Sequence, residues 1–394
     1  MLSKNTKVLF IPAWYPSRVD QLAGIFTERH AIAMKSSVSV AVLYVCAEEN
    51  LSKIIELEQV LENEIPVFRV YFSKRKKKGI LFKLNHLILY AAAMFWGYYK
   101  VRKYIGKPDI HHVHVLTRSA VLPMILYWLQ NVPYVITEHW SRYLPEDNTY
   151  KGWFRKRITE IIVKNSKGVS CVSNALREGM KKHGLFHWNY QLISNVVDTD
   201  LFAPKEKQGS QRTRFLHVSS FDKSSKNVLG IIDAAWKADQ EGYLFDLHLV
   251  GGGPEKAYLQ EYVSKLSFKA SNIILLGELY GADLVKQYQS ADAFILFSFY
   301  ENQPCVVLES FSCGLPVIGS RAGGIPELVT EECGLLVESQ NTKELTNAMI
   351  KFITKDAVFD KRKLRQKALD YYSYQAVEKQ FCQFYQQALI SNSR

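Results

Sequence analysis

Short apolar runs alternate with helix-period stretches along almost the whole chain, and this alternation restricts the fold more than any other feature. Lys7 to Pro12, Val38 to Val45, Asp109 to Val115, Tyr134 to Thr137 and Val169 to Val172 read as parallel strands, with helical stretches such as Gly24 to Lys35 and Ser119 to Gln130 between them. Ala203 to Arg214 (APKEKQGSQRTR) is polar, holds Pro and Gly, shows no apolar periodicity and reads as a linker. A second series follows: Phe215 to Val218, Phe245 to Val250, Ile273 to Leu276, Phe294 to Phe297, Pro316 to Ile318 and Leu335 to Val337. A chain of 394 residues is long enough for two such units, each with its own core. The prediction is an α/β protein of two Rossmann-like, doubly wound parallel-sheet domains, 1–205 and 206–373, facing one another across a cleft.

The segment SFYENQPCVVLESFSCGLPVIGSRAGGIPELV says most about chemistry. A buried strand leads to a loop bearing Glu301, then to a helix opened by Pro304, closed by Gly314 and carrying Glu309. In an open parallel sheet, such strand ends face the ligand crevice. Carboxylates accept hydrogen bonds from vicinal hydroxyls, and glycine turns let amides approach a pyrophosphate. Two glutamates at this spacing also occur on any solvated helix face; the strand before them and the G-G-x-P-E loop after them set this pair apart.

The segment resembles the retaining glycosyltransferases of glycosyltransferase family 4, whose E-x7-E signature it reproduces as Glu301 and Glu309. The resemblance implies a GT-B fold, with an acceptor-binding first domain, a nucleotide-sugar-binding second domain, and a closing helix, about 374–394, that returns to the first domain. It also implies that Glu301 touches the transferred sugar and Glu309 the ribose.

Other motifs fall in the family's order. IPAWYPSRVDQLAGIFTERH places Gly24 at the mouth of a helix, where relatives carry glycine near the donor phosphates or acceptor; a plain helix N-cap is the competing reading. TEHW sets His139 at a strand end, where the family's histidine lies beside the sugar and can donate a hydrogen bond, while Glu138 is expected to face away. In FLHVSSFDKSSKN, Lys226 matches the lysine directed at the diphosphate; the accompanying arginine has no clear equivalent, with Ser220, Ser225 and Lys223 at the candidate positions. LVGGGPE contributes Gly252 to the donor-binding set, and AGGIPE contributes Gly323 and Gly324, whose amides are expected to point at an anion.

Two patterns suggest metal, and both are read otherwise. His111, His112 and His114 lie on one strand, where adjacent side chains point to opposite faces, so His111 and His112 cannot easily share an ion. Asp198 and Asp200 form D-x-D, but their position matches the segment that ends the first domain in this family, and turn capping by Asp198 suffices. No metal and no cofactor is expected beyond the nucleotide-sugar substrate.

Net charge is +12, concentrated between Lys74 and Lys103, which holds nine Lys or Arg and no acidic residue. Within it, Ile80 to Tyr99 carries only Lys83. Three readings stand: a helix packed on the first domain after a solvated basic loop, peripheral contact with an anionic membrane, and a membrane span, which His86, Asn85 and Lys83 argue against. No recognised nucleic-acid module or basic-aromatic groove accompanies the charge, so a nucleic-acid partner is not expected. Six cysteines without C-x-x-C pairing, and no secretory signal before the first strand, suggest a reduced cytoplasmic setting, at the inner face of the plasma membrane if the basic segment docks.

The resulting expectation is a metal-independent retaining hexosyltransferase that passes a sugar from a nucleotide sugar to a saccharide or lipid-linked saccharide in envelope or exopolysaccharide synthesis. Glu301 and His139 would be catalytic, and Lys226, Glu309, Gly323, Gly324, Gly252 and Gly24 donor-binding. A sugar-nucleotide epimerase of related shape would turn over without acceptor, and a non-catalytic relative would bind nucleotide without transfer.

Overall fold

The computed structural model describes residues 2–74, 79–116, 118–147, 149–206 and 212–392. The first lobe holds β1 (Lys7–Pro12), β2 (Ser39–Glu48), β3 (Ile55–Glu62), β4 (Ile65–Ser73), β5 (Ile110–His114), β6 (Tyr134–Glu138), β7 (Val169–Cys171) and β8 (Tyr190–Leu192). They form one sheet in the order β3-β4-β2-β1-β5-β6-β7-β8. The second lobe holds β9 (Thr213–Val218), β10 (Phe245–Val250), β11 (Asn272–Gly277), β12 (Ala293–Leu296), β13 (Val317–Ser320) and β14 (Gly334–Val337). Their order is β11-β10-β9-β12-β13-β14, and every pairing in this sheet is parallel.

The central strands are apolar because both faces of each sheet are covered there, whereas the edge strand β3 (IELEQVLE) alternates. Val8, Phe10, Val40 and Val42 enter one core of the first lobe, while their neighbours Leu9, Ile11, Ala41 and Leu43 enter the core on the opposite face. The second sheet divides in the same way, with Leu216 and Phe294 on one side and Phe215 and Ile295 on the other. Both sheets reverse direction of growth at a central strand, β1 between β2 and β5, and β9 between β10 and β12. Such reversals open a crevice at the carboxyl ends of the strands.

The closing helix returns to the first lobe as expected. Lys361–Tyr372 packs on the second lobe, where Arg365 bonds the Ser312 carbonyl (3.0 Å); after Ser373 the helix Tyr374–Asn392 lies on the first. There Phe381 and Tyr385 join the core of β1, and the Tyr385 hydroxyl meets His112 Nδ1 (2.6 Å).

Two details differ from the sequence reading, and a third accords with one of its three alternatives. Thr213 and Arg214, assigned to the linker, begin β9, and linker residues 207–211 lie outside the described residues. β3 and β4 form an antiparallel hairpin that the βα pattern did not anticipate; Asn63 and Glu64 turn it with φ of 50° and 66°. Residues 80–105 form one 26-residue helix, Ile80–Ile105, against β2 and β4. Tyr90, Ala93, Met94, Tyr98 and Val101 are buried there, whereas Leu84, Leu87, Ile88, Phe95 and Tyr99 face solvent. Among the described residues no helix is long and apolar enough to cross a membrane. The basic residues 75–78 lie outside the described residues.

Candidate functional site

A cavity of about 620 Å³ separates the lobes at the carboxyl ends of β1, β6, β9 and β12. Trp14, His139 and Trp140 line it from the first lobe, and Ser219, Lys226 and Glu301 from the second. Segments far apart in sequence thus meet at the two strand-order reversals.

Lys226 is placed by local turn chemistry. The Asp222 carboxylate accepts hydrogen bonds from the Ser224 and Ser225 hydroxyls, and the Asp222 carbonyl accepts the Lys226 N–H (2.9 Å). Asn227, in the left-handed conformation, then caps the helix Val228–Gln240 by accepting from the Gly230 N–H. Phe299 N–H donates to the Ser225 carbonyl (2.8 Å), which joins this turn to the loop after β12. Across that join the Lys226 ammonium pairs with Glu301 Oε1, which also accepts from the Ser298 hydroxyl (3.0 Å). The side chains of the pair are 21% and 12% exposed, so little solvent screens it. Lys226 is the one lysine or arginine among the described residues lining this cavity; Ser220 and Ser225 line it too, and Lys223 does not.

His139 also lines the cavity, packed at 4.3 Å between ring centroids on Phe26. Burial, and after it the neighbouring His30 and His112, hold its pKa well below the usual histidine range, so the ring is neutral. Glu138 turns away from the cavity, as expected, and its carboxylate accepts the N–H groups of Leu116 (2.9 Å), His139 (2.8 Å) and Trp140 (2.8 Å).

The remaining expected residues are arranged differently. Glu309 is 6% exposed and is not among the residues lining the cavity. The helix Cys305–Ser312 turns it toward the first lobe, where Arg29 donates to Oε1 (2.9 Å), while the Tyr288 hydroxyl of the second lobe donates to Oε2 (3.1 Å). Burial works against the Arg29 charge and Glu309 outweighs it, so the guanidinium is more basic than usual. Gly324 N–H, expected to face an anion, donates to the Glu301 carbonyl (2.8 Å). A Cβ on Gly323 would fall 1.9 Å from the Glu301 carbonyl oxygen, and one on Gly324 1.7 Å from that of Asn302. The glycine turn is therefore a seat for the backbone that carries Glu301. Gly24 serves Trp14 similarly: at φ +70° its Cβ would lie 2.1 Å from the Trp14 carbonyl oxygen. Gly252 lies against Glu278 and its carbonyl accepts the Phe221 N–H (2.6 Å). Gly24, Gly252, Gly323 and Gly324 are not among the cavity-lining residues.

Several participants escaped the sequence reading. Asn302 Nδ2 donates to the His139 carbonyl (2.7 Å), and Asn195 is bonded twice by Gln303, so the two residues after Glu301 join the lobes. The Glu327 carboxylate accepts from the Asn174 and Ala175 N–H groups (2.7 Å each), at the start of the helix Asn174–Lys182. Adjacency to Glu301 was the available signal for Asn302 and Gln303; no local signal marks Arg29.

As expected, Asp198 closes a turn, accepting from the Asp200 (3.2 Å) and Leu201 (2.9 Å) N–H groups. The strand histidines also divide by face: His112 is held by Tyr385 and Thr137, while His111 faces Tyr98. His114 joins His30 and His139 instead, and these three bring ligand nitrogens within 4.8 Å of one another, the group among the described residues most suited to hold a metal ion.

Comparison with known proteins agrees with this architecture. Residues 69–201 match the family model described as Glycosyltransferase Family 4, and residues 212–355 the model described as Glycosyl transferases group 1. The sulfoquinovosyl transferase of Arabidopsis thaliana is 30% identical over 249 residues, which are 57% of this chain and 45% of that protein, so the match spans less than half of the plant enzyme. The UDP-Gal:alpha-D-GlcNAc-diphosphoundecaprenol alpha-1,3-galactosyltransferase of Escherichia coli is 26% identical over 64% of this chain and 68% of its own. The crystal structure of Anabaena HepE in complex with UDP-glucose superposes with a TM-score of 0.69 at 17% identity, covering 96% of this chain and 99% of that one, and shares the fold. Two parallel-sheet lobes, a cleft at both strand-order reversals and family models matched on either side of the linker lead to one assignment: the chain belongs to glycosyltransferase family 4 and has the GT-B fold.

Proposed function

We propose that this glycosyltransferase moves a sugar, with retention of anomeric configuration and without a metal ion, from a nucleotide sugar to a saccharide or lipid-linked saccharide of a cell envelope or exopolysaccharide. The observation that carries the reading is the Lys226–Glu301 pair in the interlobe cavity, facing His139. Lys226 stabilises the charge that develops on the departing diphosphate, the role that a metal ion takes in other transferases. Glu301, held by Ser298, orients the transferred sugar, and neutral His139 is available to its hydroxyls. The acceptor hydroxyl attacks C1 from the face the diphosphate leaves; the new C1–O bond forms as the old one breaks, and the acceptor proton passes to the diphosphate oxygen. A ribose contact from Glu309 requires it to part from Arg29.

The likeness to a structure holding UDP-glucose makes UDP-sugars the first donors to try, and the Escherichia coli relative's name makes a diphosphate-linked glycan the first acceptor class. The test is a thermal-shift screen of nucleotide sugars, followed by transfer with the best donor in the presence of EDTA. Retained activity and an axial-to-axial or equatorial-to-equatorial anomeric outcome by NMR support the proposal. Loss of activity in EDTA removes metal independence, inversion removes retention, and product formation without acceptor replaces transfer by epimerisation.

A further inference from the structure

A second cavity, about 740 Å³, opens on the first lobe beside the donor cleft, and Trp14 and Trp140 line both. Their rings, 4.8 Å apart between centroids, form the partition. Arg118, Arg142 and Arg155 line the second cavity, and among the described residues no carboxylate does. Two of these cations rest on aromatic faces: Arg118 lies 4.5 Å from the Tyr90 centroid and Arg142 3.1 Å from that of Trp140. Arg142 Nε is buried without a hydrogen-bond partner. Neither of the nearest acids is bonded to Arg142: Glu138 holds three backbone N–H groups, and Asp147 accepts the Ser141 hydroxyl (2.8 Å) through Oδ2 while its Oδ1 stays buried without a partner.

The rest of this wall is hydrocarbon. Leu87, Tyr90 and Val121 continue into an adjoining hollow of about 100 Å³ lined also by Met94, Phe95 and Ile125. The trough emerges on the solvent-facing side of the helix Ile80–Ile105, where Leu87 and Phe95 are each 52% exposed, and near Phe154, which is 70% exposed. Three arginine forks suit a diphosphate, which they bind through paired N–H groups; the apolar trough suits a hydrocarbon chain. A free nucleotide or pyrophosphate would leave the hydrocarbon wall wet, and a neutral lipid would leave the guanidiniums without an anion.

We propose that this trough binds the diphosphate and the proximal hydrocarbon of a lipid-diphosphate-linked acceptor, with its sugar directed past Trp14 and Trp140 into the donor cavity. This deepens, and rests on, the glycosyltransferase reading above. The exposed apolar face of the helix Ile80–Ile105 then lies toward the membrane that supplies the lipid.

The test uses the whole chain with farnesyl diphosphate, farnesol and inorganic pyrophosphate as probes, followed by isothermal titration, with UDP as the control ligand. Farnesyl diphosphate should bind at least ~10-fold more tightly than either fragment, and Arg118→Ala or Arg155→Ala, both at exposed positions, should each weaken it by roughly 10-fold, as expected for loss of a charge-assisted hydrogen bond. UDP binding should be unchanged in both variants. Equal affinity for pyrophosphate or farnesol, or unaltered binding by the variants, would overturn the proposal while UDP binding still stood for the donor site. Arginine-dependent sedimentation with phosphatidylglycerol vesicles, without farnesyl diphosphate binding, would also overturn it and assign the face to bulk phospholipid. Failure of UDP alone to bind would count against the donor reading and leave the trough intact.

Discussion

The two cavities that share the Trp14–Trp140 partition are built in opposite ways. On the donor side the second-lobe groups are each placed by local chemistry, Asp222, Lys226 and Asn227 in one turn, and Ser298, Glu301 and Asn302 in one loop. Among the described residues it presents one lysine or arginine, already paired with a carboxylate. The first-lobe trough is long-range, assembled from Trp14, Tyr90, Arg118, Trp140 and Arg155, and two of its cations, Arg118 and Arg142, lie on aromatic rings. The contrast teaches that a paired lysine suits a charge that develops during reaction, whereas arginines without a carboxylate partner among the described residues suit a charge that is already present.

The sharpest way to break the comparison is to remove the paired cation. Lys226→Ala should lower kcat/KM by about 10²–10³, the scale of losing one preorganised charge-stabilising donor, and leave farnesyl diphosphate binding unchanged. Steady-state kinetics checks it, and a loss below tenfold would make Lys226 a surface cation only. Next in size is the interlobe pair. Arg29→Ala leaves the Glu309 carboxylate buried with only Tyr288, and should cost about 3–5 kcal/mol of stability. Urea denaturation would measure it; a change under 1 kcal/mol would mean the lobes part at that point without penalty.

A smaller effect sharpens the role assigned to the glycine turn. Gly324→Ala forces a Cβ against the Asn302 carbonyl and should cost about 1–3 kcal/mol. It should weaken UDP binding along with stability, since the backbone of Glu301 shifts; an undisturbed thermal midpoint would show that the seat is loose. A separate effect, on pH dependence, bears on both lobes. Burial lowers His30 in the first lobe and His217 in the second from 6.5 to about 4. Between those values the unfolded chain binds protons that the folded one refuses, so stability is full above about 6.5 and falls as pH drops toward 4. Denaturation midpoints at pH 7.5 and 5 check the sign, and His30→Gln should reduce the first-lobe share, to which the buried His111, His112, His114 and His139 also contribute.

The legible part of the site was the part written in consecutive residues. The position of Glu301 and Lys226 at the cavity could be read because each sits in a strand–loop–helix segment whose turn chemistry is local, and that of His139 because it follows an apolar strand. Glu309 was visible but its surroundings were not, because its partner Arg29 lies 280 positions away. The same holds for Gly323 and Gly324, whose flexibility was evident while the object packed against them, the carbonyls of Glu301 and Asn302, was not. The hairpin β3–β4 escaped because Asn63 and Glu64 lack the usual glycine of a tight turn.

By itself, the amino-acid order determined two parallel sheets, their separation by a polar linker, and the loops that reach the cleft. Those depend on hydrophobic period and turn residues within a few positions of one another. Only the tertiary structure decided which side chains face a ligand and which bind the opposite lobe, and it alone brought Arg118, Arg142 and Arg155 to one wall. Side-chain direction at a strand end is set by packing against elements distant in sequence, and no local pattern encodes that distance.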